Sequence, residues 1–239
     1  MADDKQDPTT TSLSYRRMKP KWRKMETLLG GTDAMREAGV LYAPRHEYET
    51  QKNYDARINA TTLLNMVEQT LDALSGKPFS DPVVVSEDTP ELILDTIIQD
   101  VDLQGNNIDV FSRSWFREGV AKAFAHVLVD SPKPTERADG QPRTLEDDRI
   151  DGIRPYWVLI KPENVLFAHA EYINGVETLT HVRILEEQVE QDGFSETPKR
   201  SVRILAPGKV EIWEPESGNK KAKWVKVDEW ETGLPTIPL

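Results

Sequence analysis

The chain has 239 residues, 38% hydrophobic and 30% charged, enough apolar content for one sizeable core or two small ones and too much for a chain disordered throughout. Its 30 lysines and arginines face 41 aspartates and glutamates, a formal net charge of -11. That balance argues against the whole surface acting as a nucleic-acid clamp and leaves any basic site local. The absence of cysteine excludes disulfides, thiol nucleophiles and cysteine metal sites, and fits a reducing compartment or a particle assembled inside one.

Residues 1–14, rich in Asp, Thr and Ser, read as a flexible tail. They lack the apolar run of a signal peptide, and no stretch of the sequence approaches the 18 or so apolar residues of a membrane span. Order is expected from Tyr15, where YRRMKPKWRK gathers Arg16, Arg17, Lys19, Lys21, Arg23 and Lys24 around Trp22 with no acid among them. Residues 25–38 read as helical with a break at Gly30 and Gly31, and Gly39 as a stop before a short extended Val40, Leu41 and Tyr42.

Over 53–75, Ile58, Leu63, Leu64, Val67, Leu71 and Leu74 recur at three- and four-residue steps before Gly76 and Pro78. This predicts one long helix with a buried face. Thr89, Pro90 and Glu91 form a helix-opening triplet of N-cap, tolerated proline and first-turn acid. A further helix from about Ile108 is expected to turn Val110, Phe111, Trp115, Val120 and Phe124 inward and to lead into a strand at Val127, Leu128 and Val129.

The segment 131–154 is rich in proline and acid and reads as an exposed loop. Beyond it come short β-like runs at 156–160, 164–168, 177–186, 201–205, 209–213 and 223–227, with Gly175, Gly193 and Gly208 in turns. Helices first and strands after predict an α+β fold whose second half is an antiparallel meander. The division is a tail at 1–14, a helical part ending in a strand at 15–130, the loop at 131–154 and a β-rich part at 155–239, the last packed with the helical part as one body.

Motifs that carry chemistry are scarce in the sequence. His46, His126, His169 and His181 include no pair at the i, i+4 spacing that sets two imidazoles on one helix face, and His46-Glu47 is followed by Thr50 where a metalloprotease needs its second ligand. Gly30, Gly31 and Thr32 lack the lysine-serine pair and preceding strand of a phosphate loop. The acids Glu146, Asp147, Asp148 and Asp151 lack the alternating spacing of a calcium loop, and no nucleophile elbow or carboxylate pair stands out. The expectation is a non-enzymatic protein without metal or cofactor. The basic run is the one candidate site, since cations neutralise phosphates and aromatics stack or anchor. Arg16, Arg17, Lys19, Lys21, Trp22, Arg23 and Lys24 are therefore candidates for a nucleic-acid contact or for a protein interface.

The order of motifs resembles that of tailed-bacteriophage portal (head-to-tail connector) proteins. YRRMKPKWRKMETLLGGTDAMREAGVLYAPR is similar to that family's N-terminal segment, with a tryptophan before a small-residue turn and a short extended stretch ending in proline. NYDARINATTLLNMVEQTLDALSGKPF resembles its next helix, and DVDLQGNNIDVFSRSWFREGVAKAFAHVLVDSP the helix that leads to a strand and an acid. RPYWVLIKPENVLFA is similar to an extended segment in which a Pro-Glu-Asn turn separates two strands, and ETGLPTIPL to the stretch leading towards the next helical region.

The resemblance implies the wing-like body of a portal subunit, with the family's stem, clip and crown expected beyond Ile237 and Pro238. It implies a homo-oligomeric ring, commonly a dodecamer, at one capsid vertex of the virion, assembled in the host cytoplasm. Double-stranded DNA passes through such a ring during packaging and ejection. Terminase, capsid and scaffold proteins and tail adaptors are the implied partners, and no membrane is. In that setting the basic run belongs in subunit contacts, with Trp22 docked on a neighbour. The alternative is a small standalone adaptor or regulator that binds a protein through its β-meander.

Overall fold

The computed structural model describes residues 7–91, 93–133, 144–216 and 223–239. Among these residues six α-helices, α1 (Leu13–Leu29), α2 (Gly31–Ala38), α3 (Gln51–Ala60), α4 (Met66–Gly76), α5 (Ile108–Lys122) and α6 (Leu145–Ile150), accompany seven strands. These are β1 (His126–Asp130), β2 (Tyr156–Ile160), β3 (Val165–Ile173), β4 (Val176–Asp192), β5 (Ser195–Ala206), β6 (Lys209–Pro215) and β7 (Trp224–Glu231). The α+β expectation holds: helices lead, and β3 to β7 form a five-stranded antiparallel meander in sequence order. The strand at 156–160 lies outside that meander, because β2 pairs antiparallel with β1, Leu128 opposite Val158.

The central part of the five-stranded sheet packs on both faces, and side-chain alternation along its middle strands sorts the layers. Val202 and Ile204 of β5 pack with Tyr15, Met18 and Trp22 of α1 and with Leu166, Leu185, Trp213 and Trp224. Leu205 of β5 joins Val182, Ile184 and Val210 on the opposite face, against Leu128 of β1, Ile160 of β2 and Ile237. The sheet thus lies between helix α1 and the β1–β2 ribbon. The C-terminal segment extends the second layer, Val129 N–H donating to the Pro238 carbonyl at 2.9 Å.

Several expectations are corrected. The single helix over 53–75 is two helices, because residues 61–65 are pinned by side chains from outside the segment. Arg36 donates two hydrogen bonds to the Thr61 carbonyl (3.1 and 3.0 Å), and Thr32 Oγ1 accepts from Leu63 N–H at 3.1 Å. Asn65 caps α4 by accepting from Glu68 N–H while its amide donates to the Leu28 carbonyl. The break rotates the apolar stripe, so Ile58 and Leu71 are buried while Leu64 is 77% exposed. Val40 and Leu41 lie in a 3-10 turn (Gly39–Leu41) instead of an extended stretch. The helix opened at Thr89 is only a short π-turn, Ile93–Ile97.

Helix α5 begins where expected, capped by Asn107 on Val110 N–H, but Val110, Trp115, Val120 and Phe124 stay partly exposed and only Phe111 of the five is buried. The 1–14 tail is tethered over residues 7–14: Ser12 N–H donates to the Leu166 carbonyl at 3.0 Å, and Arg183 donates to that of Pro8. Residues 1–6 lie outside the described residues. Within the expected loop, 134–143 also lie outside them, while α6 forms on a capping box between Thr144 and Asp147.

Candidate functional site

Helix α1 carries the candidate residues, and its burial pattern divides them. Seven residues apart, Tyr15 and Trp22 fall on one stripe, and both are buried. Their rings meet edge to face at 5.5 Å, and Phe124 stacks edge-on to Trp22 at 5.8 Å. The polar ends of both aromatics are satisfied within the chain. Tyr15 Oη donates to the Glu163 carbonyl at 2.9 Å, and Trp22 Nε1 to the Lys122 carbonyl at 3.1 Å. Trp22, only 4% exposed, therefore leaves the set of candidate contacts. It anchors α1 to its own chain, and no ring on this helix face is free to stack on a base or a neighbour.

The six cations lie on the other side. Arg16, Arg17, Lys19, Lys21, Arg23 and Lys24 are all exposed, and none forms an ion pair among the described residues. Lys19 leans over the Tyr15 ring at 5.7 Å. Arg16 and Arg23 form one row and Arg17 and Lys24 the adjoining row, each pair two turns and about 10 Å apart. Pro20 lies between them inside the helix. Its missing N–H leaves the Arg16 carbonyl without its helical partner, which is tolerable only on a solvated face.

Beneath α1 lies a polar centre that spacing does not reveal. The Lys122 side chain is 0% exposed, and its ammonium pairs with Glu26 of α1, with Glu118 one turn earlier on α5 and with Glu163 in the 3-10 turn Pro162–Asn164. One oxygen from each carboxylate lies within 4.8 Å of the others, a spacing that could hold a cation, and the Lys122 ammonium supplies one. Burial opposes charge on Lys122, yet Glu118, Glu163 and Glu26 override it and hold the ammonium well above the ordinary lysine value. Burial likewise opposes ionisation of Glu26, and Lys122 reverses the outcome, lowering its carboxyl. Burial and the Glu163 charge push the Tyr15 hydroxyl up. The only sequence signal was the i, i+4 spacing of Glu118 and Lys122, which ordinarily marks a surface pair.

A second network joins the sheet layers. Arg203 of β5 lies between Asp130 of β1 at 2.6 Å and Glu186 of β4 at 2.8 Å, and Tyr156 Oη donates to Asp130 at 3.1 Å. Burial raises the Glu186 carboxyl despite Arg203. Of the histidines, His169 and His181 are register partners across β3 and β4, both beside the Phe167 ring. His126 packs on Phe124, and His46 lies on an exposed turn. Glu146, Asp147 and Asp148 occupy the first turn of α6, where they favour the helix N-terminus. Among the described residues no helix is long and apolar enough to cross a membrane. No protein-family model matches the chain, and no curated protein matches it.

Proposed function

We propose that the chain is the wing-like portion of a tailed-phage portal subunit, a structural component of the ring through which double-stranded DNA is packaged and ejected. The observation that carries this reading is the convergence of separate resembling segments on one point. The basic N-terminal segment contributes Tyr15, Trp22 and Glu26, the helix-to-strand segment contributes Lys122, and the Pro-Glu-Asn turn between β2 and β3 contributes Glu163. Motifs that are individually weak but collinear support a shared architecture more strongly when they build one buried centre.

In this reading the protein is not an enzyme and needs no cofactor. Its place is the capsid vertex of the virion, after assembly in the host cytoplasm, and its partners are further copies of itself, terminase, capsid or scaffold proteins and tail adaptors. A net charge of -11 suits a channel that must release DNA at every step, because tight phosphate contacts would resist sliding. The adaptor reading draws its own support from the projecting β4–β5 ribbon, whose tip residue Phe194 is fully exposed.

Electron microscopy of the purified chain separates the two. Closed particles with rotational symmetry are expected, and a monodisperse monomer at tens of micromolar would count against the portal reading and in favour of the adaptor.

A further inference from the structure

The sequence segregates its charge into two runs of opposite sign. Helix α1 bears six exposed cations without an acid between Tyr15 and Lys24, whereas residues 78–112 contain eight acids and no Lys, Arg or His. Some of the latter are used locally: Asp100 pairs with Arg154, Asp102 accepts from Asn106 and Asp109 from Val83 N–H. Asp81, Glu87, Asp88 and Glu91 are exposed and form no ion pair among the described residues. Val84 stands between them, 93% exposed. Among the described residues no ion pair joins the two runs, so each presents charge of the sign the other needs.

We infer that the basic face of α1 docks on the acidic segment 81–91 of a second copy of this chain. The choice of a second copy as occupant rests on the homo-oligomeric reading above. Three observations favour it over nucleic acid. The helix face is a convex rod with Tyr15 and Trp22 turned inward, so it offers no aromatic platform for bases. The net charge of -11 opposes a duplex, with its dense row of phosphates, more than a second copy whose own -11 is spread over a folded surface. The complementary acids are present on each chain, with an exposed valine to add apolar area once the charges have set the orientation. The two patches are different surfaces, so a contact made once per pair is head-to-tail, the class that generates closed rings or open filaments.

Charge exchange tests this. One variant carries Arg16→Glu, Arg17→Glu, Arg23→Glu and Lys24→Glu, and the other Asp81→Lys, Glu87→Lys, Asp88→Lys and Glu91→Lys. Sedimentation velocity of the wild-type chain is expected to show association that weakens as salt rises from about 0.05 to about 0.5 M. Each variant alone loses that association by about tenfold or more, and an equimolar mixture of the two recovers it, because each then presents the sign its partner needs. Neutral glutamine versions of both sets, with circular dichroism to confirm the fold, provide a second route to the same loss.

A monomeric wild type, association indifferent to both charge sets, or a mixture that fails to recover overturns the inference. So does retention of a short DNA duplex through α1 without self-association, which assigns the face to nucleic acid. Micrographs of the same samples keep the two readings apart. Closed rings indifferent to charge reversal sink this contact and leave the portal reading standing, whereas charge-dependent open filaments do the reverse.

Discussion

At the scale of single residues, Lys122 is the position where most depends on one side chain. Its ammonium sits under α1 with three carboxylates around it, Glu118 and Glu163 mostly covered and Glu26 half open to solvent. Removing one partner of such a group leaves the others desolvated and uncompensated, while removing the charge altogether is far cheaper. Lys122→Met is therefore expected to destabilise the fold by about 3 kcal/mol. Adding Glu118→Gln and Glu163→Gln to that variant restores much of the loss. Urea unfolding of the three proteins checks this, and a Lys122→Met chain as stable as wild type would remove the cluster's structural role. Trp22 belongs to the same centre. Its burial explains why an aromatic among six cations is an internal anchor here, since indole gains more from the core and from the Lys122 carbonyl than from water.

At the scale of elements, α1 and the β4–β5 ribbon show opposite solutions. Helix α1 has a proline inside it, yet Ser12 caps it on Tyr15 N–H and its aromatic stripe binds it to the sheet. Tertiary packing thus compensates for the interior proline. The ribbon has no such support. Strand β3 pairs with β4 only through Ile184, and β6 pairs with β5 only from Val202. Beyond those residues the two strands pair with each other alone, out to Asp192 opposite Ser195. Gly193, at φ 60, takes the first position of the two-residue turn, the conformation a tight hairpin asks of glycine.

A two-stranded ribbon with both edges free is marginal in water, and ion pairs such as Arg200–Glu187 on its exposed surface add little. Replacing residues 188–199 by an Asn-Gly turn is expected to cost less than about 1 kcal/mol. Hydrogen exchange gives the matching readout: amides of the ribbon exchange much faster than those of Val182, Ile184, Val202 and Leu205. Protection equal to that of the central sheet would contradict this picture.

At the scale of the whole molecule, the three-layer arrangement sets how stability responds to pH. Burial depresses His126, and burial together with Arg183 depresses His181, both below the ordinary value of 6.5. A depressed histidine binds protons more readily in the unfolded chain. Its contribution is therefore complete above 6.5 and lost as pH falls through the folded value. Glu186 is raised by burial and acts in the opposite sense, its contribution being present below its unfolded value near 4.5 and lost as pH rises. The lowered carboxyls of Glu26 and Glu211 keep their contribution above 4.5 and lose it below.

Between neutrality and pH 5.5 the two depressed histidines act together, and Glu186, raised by burial, acts against them. The thermal midpoint is expected to fall on acidification from about pH 7.5 to about pH 5.5, and His126→Gln should flatten that slope. Thermal melts across the series decide it: a midpoint that rises on acidification would reverse the assignment.

The order of elements, the antiparallel meander, the stop at Gly30 and Gly31 and the location of the cationic run were all legible in the sequence, because each depends on near-neighbour spacing, turn chemistry or local composition. Strand lengths were underestimated, since polar residues such as those of the ribbon pair by backbone hydrogen bonds that leave no apolar alternation to read. The tertiary structure divides 51–76 into two helices, because the Arg36 and Thr32 side chains of α2 and the Leu28 carbonyl of α1 hold the break against a helical pattern that is locally sound. It also decided which way α1 faces. Six cations and two aromatics on one helix do not say by themselves whether the aromatics are bait or anchor. The answer comes from Lys122 and Glu163, about one hundred and more residues away, whose carbonyls accept the Trp22 and Tyr15 donors and leave the charges alone in solvent.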